Sequence, residues 1–338
     1  MPLEIPHGWT LCASSFNWTP EITAARRTAH EIVAGIADSV VKTIELEPGL
    51  LWRSFPTPQD DEVDELRHSL TARGGSVSIV GASLDDFTSP TNRRTQQERL
   101  DFLVPQLRAA HRVGASGVRL PIGQAGTELL TMVQPLLHEL DLVLYEEIQG
   151  QQVPLNPAVA PALDAIAGLA DDHVRVLVDI SMLMPALPVT YLEELRRGGL
   201  SVELVDRLEK DWRDPATLDA VTALLRSGNV PPQIHTLFMN LLIRFGRSNA
   251  ADLQGILPLV GAFHLKFWDL DDDGGRVSQP LRDLGSLLGT NGFTGTLTSE
   301  WGGHEWLQDD PSEMTRRHLA LAEESLVQAA PAAQGIGG

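Results

Sequence analysis

Residues 142–150 read Leu142-Val143-Leu144-Tyr145-Glu146-Glu147-Ile148-Gln149-Gly150, an apolar run that closes on carboxylates and a glycine. A short run of this kind, bounded by turn residues, is the pattern of a buried strand. Three later stretches repeat the plan: VRVLVDISM at 174–182, GAFHLKFWD at 261–269 and TGTLTSEWGG at 294–303. They carry Asp179, His264 and Glu300 at comparable places. One carboxylate at a strand end says little. Four metal-binding side chains at the ends of successive strands predict a shared site, provided the fold brings those ends together.

Working outward, the same reading finds strands at 10–16 (TLCASSF), 41–48 (VKTIELEP), 76–86 (SVSIVGASLDD) and 117–123 (GVRLPIG). Helical periodicity fills the gaps between strands. The first helix is expected from an N-cap at Thr19, with Pro20 in its first turn, through Ser39. Pro105 is a candidate kink in the third. Eight strand–helix alternations predict an α/β fold, a (β/α)8 TIM barrel, in which the C-terminal strand ends converge on one mouth. A doubly wound sheet competes, but it favours a glycine-rich phosphate loop after strand one, and residues 14–20 (SSFNWTP) contain no glycine. One barrel domain is expected over 1–328, with a disordered tail at 329–338. Between strands 6 and 7 lies a long helical excursion, about 192–257, part of which is expected to serve as the sixth barrel helix. The rest is a candidate lid or subunit platform. Within it, LFMNLLIRF at 237–245 is apolar on too many sides for a solvated helix. It suggests either a buried helix or an interface.

Bulk composition narrows the function. The chain has 338 residues, 43% hydrophobic and 21% charged, as in ordinary globular proteins. No apolar run approaches the roughly 20 residues needed to span a bilayer, and the start MPLEIPHGWTLC has no signal-peptide pattern. The one cysteine, Cys12, precludes an internal disulfide, fits the cytoplasm, and is read as a small core residue. A net charge of −19 argues against nucleic acid or an anionic membrane as partner.

Glu147, Asp179, His264 and Glu300 make an oxygen-rich set that suits Mn²⁺, Mg²⁺, Co²⁺ or Fe²⁺ better than structural zinc. Glu146 and Glu147 face opposite sides of their strand, and parity alone does not choose between them. Ser181 is a candidate hydrogen-bonding support for Asp179 and a substrate contact. Lys266 shares a strand face with His264 and is a candidate to hold a substrate oxygen or neutralise an enolate, against a simple salt bridge. His304 is a candidate acid or base. Arg119 is expected to pair with Glu147 or contact substrate, and Asp269 to orient Lys266 or close the loop. Trp18, Trp268, Trp301 and Trp306, four of seven tryptophans, fall at strand ends or mouth loops, where indole faces stack on sugars and planar aromatics.

The segments EIQG, LVDIS, HLKFWDLD and SEWGG together resemble the xylose-isomerase-like superfamily of sugar (phosphate) isomerases and epimerases. The resemblance runs from about Thr10 to Gln328. It implies that Glu147, Asp179, His264 and Glu300 bind one catalytic divalent ion, Mn²⁺, and it selects Glu147 over Glu146. A narrower resemblance is to the catalytic α subunits of bacterial C-glycoside deglycosidases, carried by Glu147-Ile148-Gln149, His264-Leu265-Lys266-Phe267-Trp268-Asp269 and Ser299-Glu300-Trp301-Gly302-Gly303. Gln149 departs from the histidine expected there. This resemblance implies a carbon–carbon lyase acting on 3-oxo-C-glucosides, with a small β-rich partner subunit. In either reading the base is to be chosen from His304, Glu147 and Glu300, with Lys266 also in the catalytic set and Trp18, Arg119, Ser181, Trp268 and Trp301 as candidate substrate contacts. The alternative is a metal-dependent sugar or sugar-phosphate isomerase or epimerase, in which Met182 departs from an expected sugar-binding histidine.

Overall fold

Eight parallel strands close into a barrel: β1 Trp9–Ser14, β2 Thr43–Leu46, β3 Ser76–Gly81, β4 Gly117–Pro121, β5 Val143–Ile148, β6 Val174–Asp179, β7 Val260–Phe267 and β8 Gly295–Trp301. The computed structural model describes residue 5 and residues 8–330. Each strand pairs with its sequence neighbours, and β1 pairs with β8 through Trp9↔Gly295 to Ala13↔Ser299. The strand-end site of the sequence reading therefore has one mouth to occupy.

Alternation along the strands builds the interior in layers. Ile79, Tyr145, Leu177 and Ala262 pack together inside. Two residues further along β5, β6 and β7 come Glu147, Asp179 and His264, so the polar layer sits directly above an apolar floor. Cys12 is fully buried and its thiol is pushed up to about 12, chiefly by burial, which makes it an inert core group as expected. The outward strand faces pack on helices including Ala29–Ser39, Asp60–Thr71, Gln96–Val113, Gly126–Leu140, Ala160–Leu169, Ser278–Asn291 and Pro311–Ala329.

Two local expectations change. The first helix is broken: a short turn Thr19–Thr23 precedes Ala25, whose φ is 50°, and the main helix begins at Ala29. Thr28 caps it in a reciprocal box with Glu31, a stronger start than Thr19 offers. No long helix takes the sixth outer position. Four helices, Val189–Arg197, Val202–Lys210, Pro215–Arg226 and His235–Ile243, leave the barrel and form a core of their own around Tyr191, Leu195, Trp212, Phe238 and Phe245. Short 3₁₀ turns, Ala250–Leu253 and Leu257–Leu259, return the chain to the barrel core instead. At the C-terminus the last helix runs through Ala329, and 331–338, most of the expected tail, lie outside the described residues.

Candidate metal centre and cavity

Glu147, Asp179, His264 and Glu300 each offer one ligand atom, and these atoms all lie within 4.8 Å of one another. All four residues are buried. His264 Nδ1 stands 3.0 Å from Glu147 Oε1 and 2.7 Å from Glu300 Oε2. Yet neither Nδ1 nor Glu300 Oε2 makes a well-angled hydrogen bond. Two buried polar atoms in such contact without a hydrogen bond are costly unless a cation lies between them. The donor set, three carboxylates and an imidazole, fits a hard or borderline divalent ion.

The neighbours of Glu147 explain why it, and not Glu146, belongs to the set. Glu146 turns the other way and accepts from the Gly123 and Ala125 amides at 2.9 and 3.3 Å, fixing the loop after β4. Burial pushes its carboxyl up despite those two bonds. Asp179 accepts from the Ser181 amide at 2.7 Å. Burial pushes its carboxyl up to about 6, with Lys266 pulling it down and the Glu300 charge pushing it up. Such a group favours neutralisation by a proton or a cation.

Two further carboxylates, Glu45 on β2 and Glu47 just past its end, complete the arrangement. Glu45, fully buried, lies 2.9 and 3.0 Å from His264 Nε2. Arg119 then spans three acids: its Nε reaches Glu45 at 2.7 Å, Nη1 Glu147 at 3.0 Å and Nη2 Glu47 at 2.8 Å. The signal was present in Ile44-Glu45-Leu46-Glu47. Two acids spaced by two share one strand face, here the inner one. With Nε2–H donating to Glu45, Nδ1 is the ring atom aimed at Glu147 and Glu300. Burial acts to lower the imidazole pKa, but Glu45, Glu300 and Glu147 outweigh it and raise it well above the ordinary value.

Above this layer opens a cavity of about 760 Å³, within the range of small-molecule sites. Glu147, Glu300, Lys266, Arg119 and Ser181 reach it from the barrel. Lys266 Nζ contacts Glu300 Oε1 at 2.6 Å, so the salt bridge is realised here. Ser181 Oγ accepts from the Gly150 amide at 3.0 Å. The rim is supplied by Phe16, Leu50 and, from the excursion, Leu242, Ile243 and Arg244. Gly150, at φ 55°, allows this approach: a Cβ there would lie 2.1 Å from the Ile243 carbonyl. The run 237–245 is thus neither fully buried nor a plain outer face. Phe238, Leu241 and Phe245 enter the excursion core, while Ile243 is 56% exposed at the mouth.

Several expected contacts fall elsewhere. Trp18 and Trp301 are fully buried and absent from the cavity wall: Trp18 Nε1 donates to Ser312 Oγ at 3.1 Å, and Trp301 Nε1 to the Trp268 carbonyl at 2.7 Å. Both are packing residues: Trp18 sits in the turn after β1, and Trp301, next to inward-facing Glu300 on β8, faces outward onto Phe267 and Met314. Trp268 does line the cavity, and its other side meets Phe245 at 4.8 Å between ring centroids. Trp306 donates to Thr190 Oγ1 at 3.0 Å within the excursion's packing. His304 packs edge-on against Phe16, 4.7 Å between centroids, and is not on the cavity wall. Burial, with help from Lys266, pushes its imidazole down to about 4, a poor position and basicity for the acid–base role expected of it. Asp269 does not touch Lys266. It accepts from the Thr190 amide and hydroxyl at 2.9 and 2.8 Å and so closes the β7 loop onto the excursion. Met182 is buried in the barrel core.

The comparisons agree with this architecture. A C-glycoside deglycosidase alpha subunit of Arthrobacter globiformis is 27% identical over 331 residues, 95% of this chain and 94% of that protein. The chain has a (β/α)8 barrel and is similar to the C-glycoside deglycosidase alpha subunits. A 3'-dehydrocarminate deglycosidase alpha subunit of Microbacterium sp is 25% identical over 279 residues, 78% of this chain and 79% of that protein. Among solved structures, a D-psicose 3-epimerase superposes with a TM-score of 0.57 at 13% identity, covering 94% of this chain and 99% of that one. A 3-keto-D-glucoside 4-epimerase from E. coli gives 0.53 at 13% identity, covering 93% and 98%. At that identity the structural likeness speaks for the fold. No protein-family model matches the chain. The names of the sequence relatives are those of enzyme subunits.

Proposed function

We propose that this chain is the catalytic subunit of a divalent-metal-dependent carbon–carbon lyase that cleaves the C-glycosidic bond of 3-oxo-C-glucosides and releases an aromatic aglycone. The observation that carries the reading is the convergence of Glu147, Asp179, His264 and Glu300 beneath an apolar-rimmed cavity. The names of the sequence relatives supply the substrate class.

Glu147, Asp179, His264 and Glu300 would hold the ion, for which Mn²⁺ is our choice among Mn²⁺, Mg²⁺, Co²⁺ and Fe²⁺. Bound there, it would polarise the sugar carbonyl and acidify the neighbouring C–H. The chain does the rest. Lys266 and Arg119 hold positive charge beside the developing enolate, although each is already engaged by carboxylates. Ser181 and the Gln149–Gln152 loop offer hydroxyl and amide groups to sugar oxygens. Phe16, Leu50, Ile243 and Trp268 offer an apolar wall to a planar leaving group.

Charge separates this reading from a sugar-phosphate one. Arg119 and Lys266 are bound by acids, and Arg244 at the rim is paired with Glu305. A phosphate would meet no uncommitted cation among the described residues lining the cavity, and it would face Glu47, Glu147 and Glu300. A neutral glycoside meets no such penalty.

The relatives are named alpha subunits, so a partner subunit follows for this chain in the same reading. We expect it to be small, β-rich and seated on the excursion. Among the described residues no helix is long and apolar enough to cross a membrane, and we place the assembly in the cytoplasm. The test is a 3-oxo-C-glucoside incubated with the protein and any subunit that purifies with it, in added Mn²⁺. Release of free aglycone is the expected result. Epimerised sugar without aglycone release would replace the lyase by an epimerase.

A further inference from the structure

We infer that Glu47 is the general base of this site, the carboxylate that removes the proton from the sugar carbon beside the carbonyl. The inference rests on the function proposed above for the same cavity and adds a residue that reading does not assign.

Among the described residues, the carboxylates on the cavity wall are Glu47, Glu147 and Glu300. Glu147 and Glu300 belong to the candidate metal cluster. A carboxylate that shares its charge with a divalent cation is a weak base, because protonation must compete with the ion. Lys266 is salt-bridged and cationic, Arg119 is permanently cationic, and His304 lies off the wall. Glu47 alone of these groups combines the right charge, access to the cavity and separation from the cluster.

Its surroundings are built for such a role. The Glu47 side chain is 30% exposed, against 5% for Glu147 and 9% for Glu300. Its amide donates to the buried Ser15 Oγ at 2.8 Å, which fixes the backbone where β2 ends. Arg119 Nη2 holds one carboxylate oxygen at 2.8 Å and, through Nη1, stands between Glu47 and Glu147. On β3, Gly81 leaves the space the carboxylate needs: a Cβ there would lie 3.1 Å from both Glu47 oxygens. The protein packed around the rest of the side chain is the largest influence and pushes its carboxyl upward, while Arg119 pulls it down; the net direction is up. A carboxylate raised in this way is a better proton acceptor near neutral pH than an ordinary one.

The step balances without an outside reagent. Glu47 takes the proton from the carbon next to the carbonyl. The electron pair forms a double bond to the adjacent anomeric carbon, and the bond from that carbon to the aryl carbon breaks. The aryl carbon takes up a proton, so that Glu47 is restored and the products are an enone sugar and the protonated aglycone. No water, oxidant or reductant is consumed.

The test is Glu47→Gln in the protein loaded with Mn²⁺, together with any subunit that accompanies it. Two rates are read on a 3-oxo-C-glucoside in D₂O: deuterium exchange at the carbon beside the carbonyl, and aglycone release. Both should fall about 10²–10⁴-fold, with Mn²⁺ content unchanged and KM moving only a few-fold. Glu47→Ala should be as slow, and added formate should restore part of the exchange. Exchange at the wild-type rate in either variant overturns the assignment, as does loss of rate that only tracks loss of bound Mn²⁺. Wild-type exchange without aglycone release would defeat the lyase reading yet leave Glu47 as the base if Glu47→Gln stops the exchange. A wild-type protein that neither exchanges nor cleaves would overturn both.

Discussion

Glu45 grips His264 by the far nitrogen of its ring. Both Glu45 oxygens lie within 3.0 Å of Nε2, and neither residue is exposed. The contact fixes the tautomer and presents Nδ1 to Glu147 and Glu300. Carboxylates that orient a histidine ligand in this way are worth about 10–100-fold in metal affinity. Glu45→Gln keeps the shape but lets the ring choose the other tautomer. Titration with Mn²⁺ should show affinity weakened by about that factor. Unchanged affinity would mean that Glu45 merely fills space.

Glu300→Gln and His264→Ala remove members of the cluster itself. Turnover should be abolished in both while circular dichroism remains that of a folded barrel. Each breaks a buried charge contact, Glu300 with Lys266 and His264 with Glu45, so stability should fall by about 3–5 kcal/mol while the fold is kept. Retained turnover would detach the cluster from the chemistry.

This site was legible in the sequence because strand periodicity and residue type pointed the same way. Glu147, Asp179, His264 and Glu300 each close an apolar run, and a barrel leaves such ends only one place to meet. Glu45 and Glu47 carry the same signature on β2, but their strand is only four residues long, Thr43–Leu46, and Glu47 lies just past its end. Of the tryptophans, Trp268 lines the cavity as its strand-end position predicts, and Trp18 and Trp301 do not. Trp18 lies in the turn after β1, where strand position does not fix a side chain's direction, and Trp301 is the last residue of β8, where alternation with inward-facing Glu300 sends it outward to pack on Phe267 and Met314. The sixth crossover was unreadable in another sense: periodicity marks helices, but not which core they join. Here all four long ones joined Tyr191 and Trp212 rather than the barrel.

Ile243 tests the aglycone wall. It stands 56% exposed on the cavity rim, held there by the Gly150 turn. Losing its apolar contact with an aromatic leaving group costs about 1–2 kcal/mol at ~0.8 kcal/mol per methylene. Ile243→Ser should therefore raise KM for an aryl C-glucoside roughly 10-fold and leave kcat nearly unchanged. A fall in kcat at constant KM would place the residue in the chemistry instead.

Gly303 reports on how the β8 turn is locked. A Cβ at this position would lie 1.9 Å from the Trp268 carbonyl oxygen, the same oxygen that accepts from Trp301 Nε1. Gly303→Ala must displace that backbone, at about 3 kcal/mol or more. Thermal melting should show a drop of several degrees. A wild-type melting temperature would mean that the turn is looser than described.

His318 should set part of the acid limit of stability. It is fully buried, stacked on Phe267 at 3.9 Å and bonded to Ser299 Oγ at 2.8 Å. Burial pushes its imidazole down from 6.5 to about 3. The folded state therefore resists a proton that the unfolded chain accepts below 6.5. The resulting stabilisation is full above pH 6.5 and is lost as pH falls toward 3, by up to about 5 kcal/mol. Urea midpoints measured across that window should fall less steeply for His318→Gln than for the wild type. Parallel curves would remove His318 from the acid response.

The most direct test of the central claim combines metal analysis with catalysis on one sample. The protein, with any subunit that purifies with it, is stripped with chelator, assayed on a 3-oxo-C-glucoside, and assayed again after reloading with Mn²⁺. The account predicts one divalent ion per chain in the loaded protein, no aglycone release from the stripped sample, and release restored on reloading. Full release from the stripped, metal-free protein would contradict it.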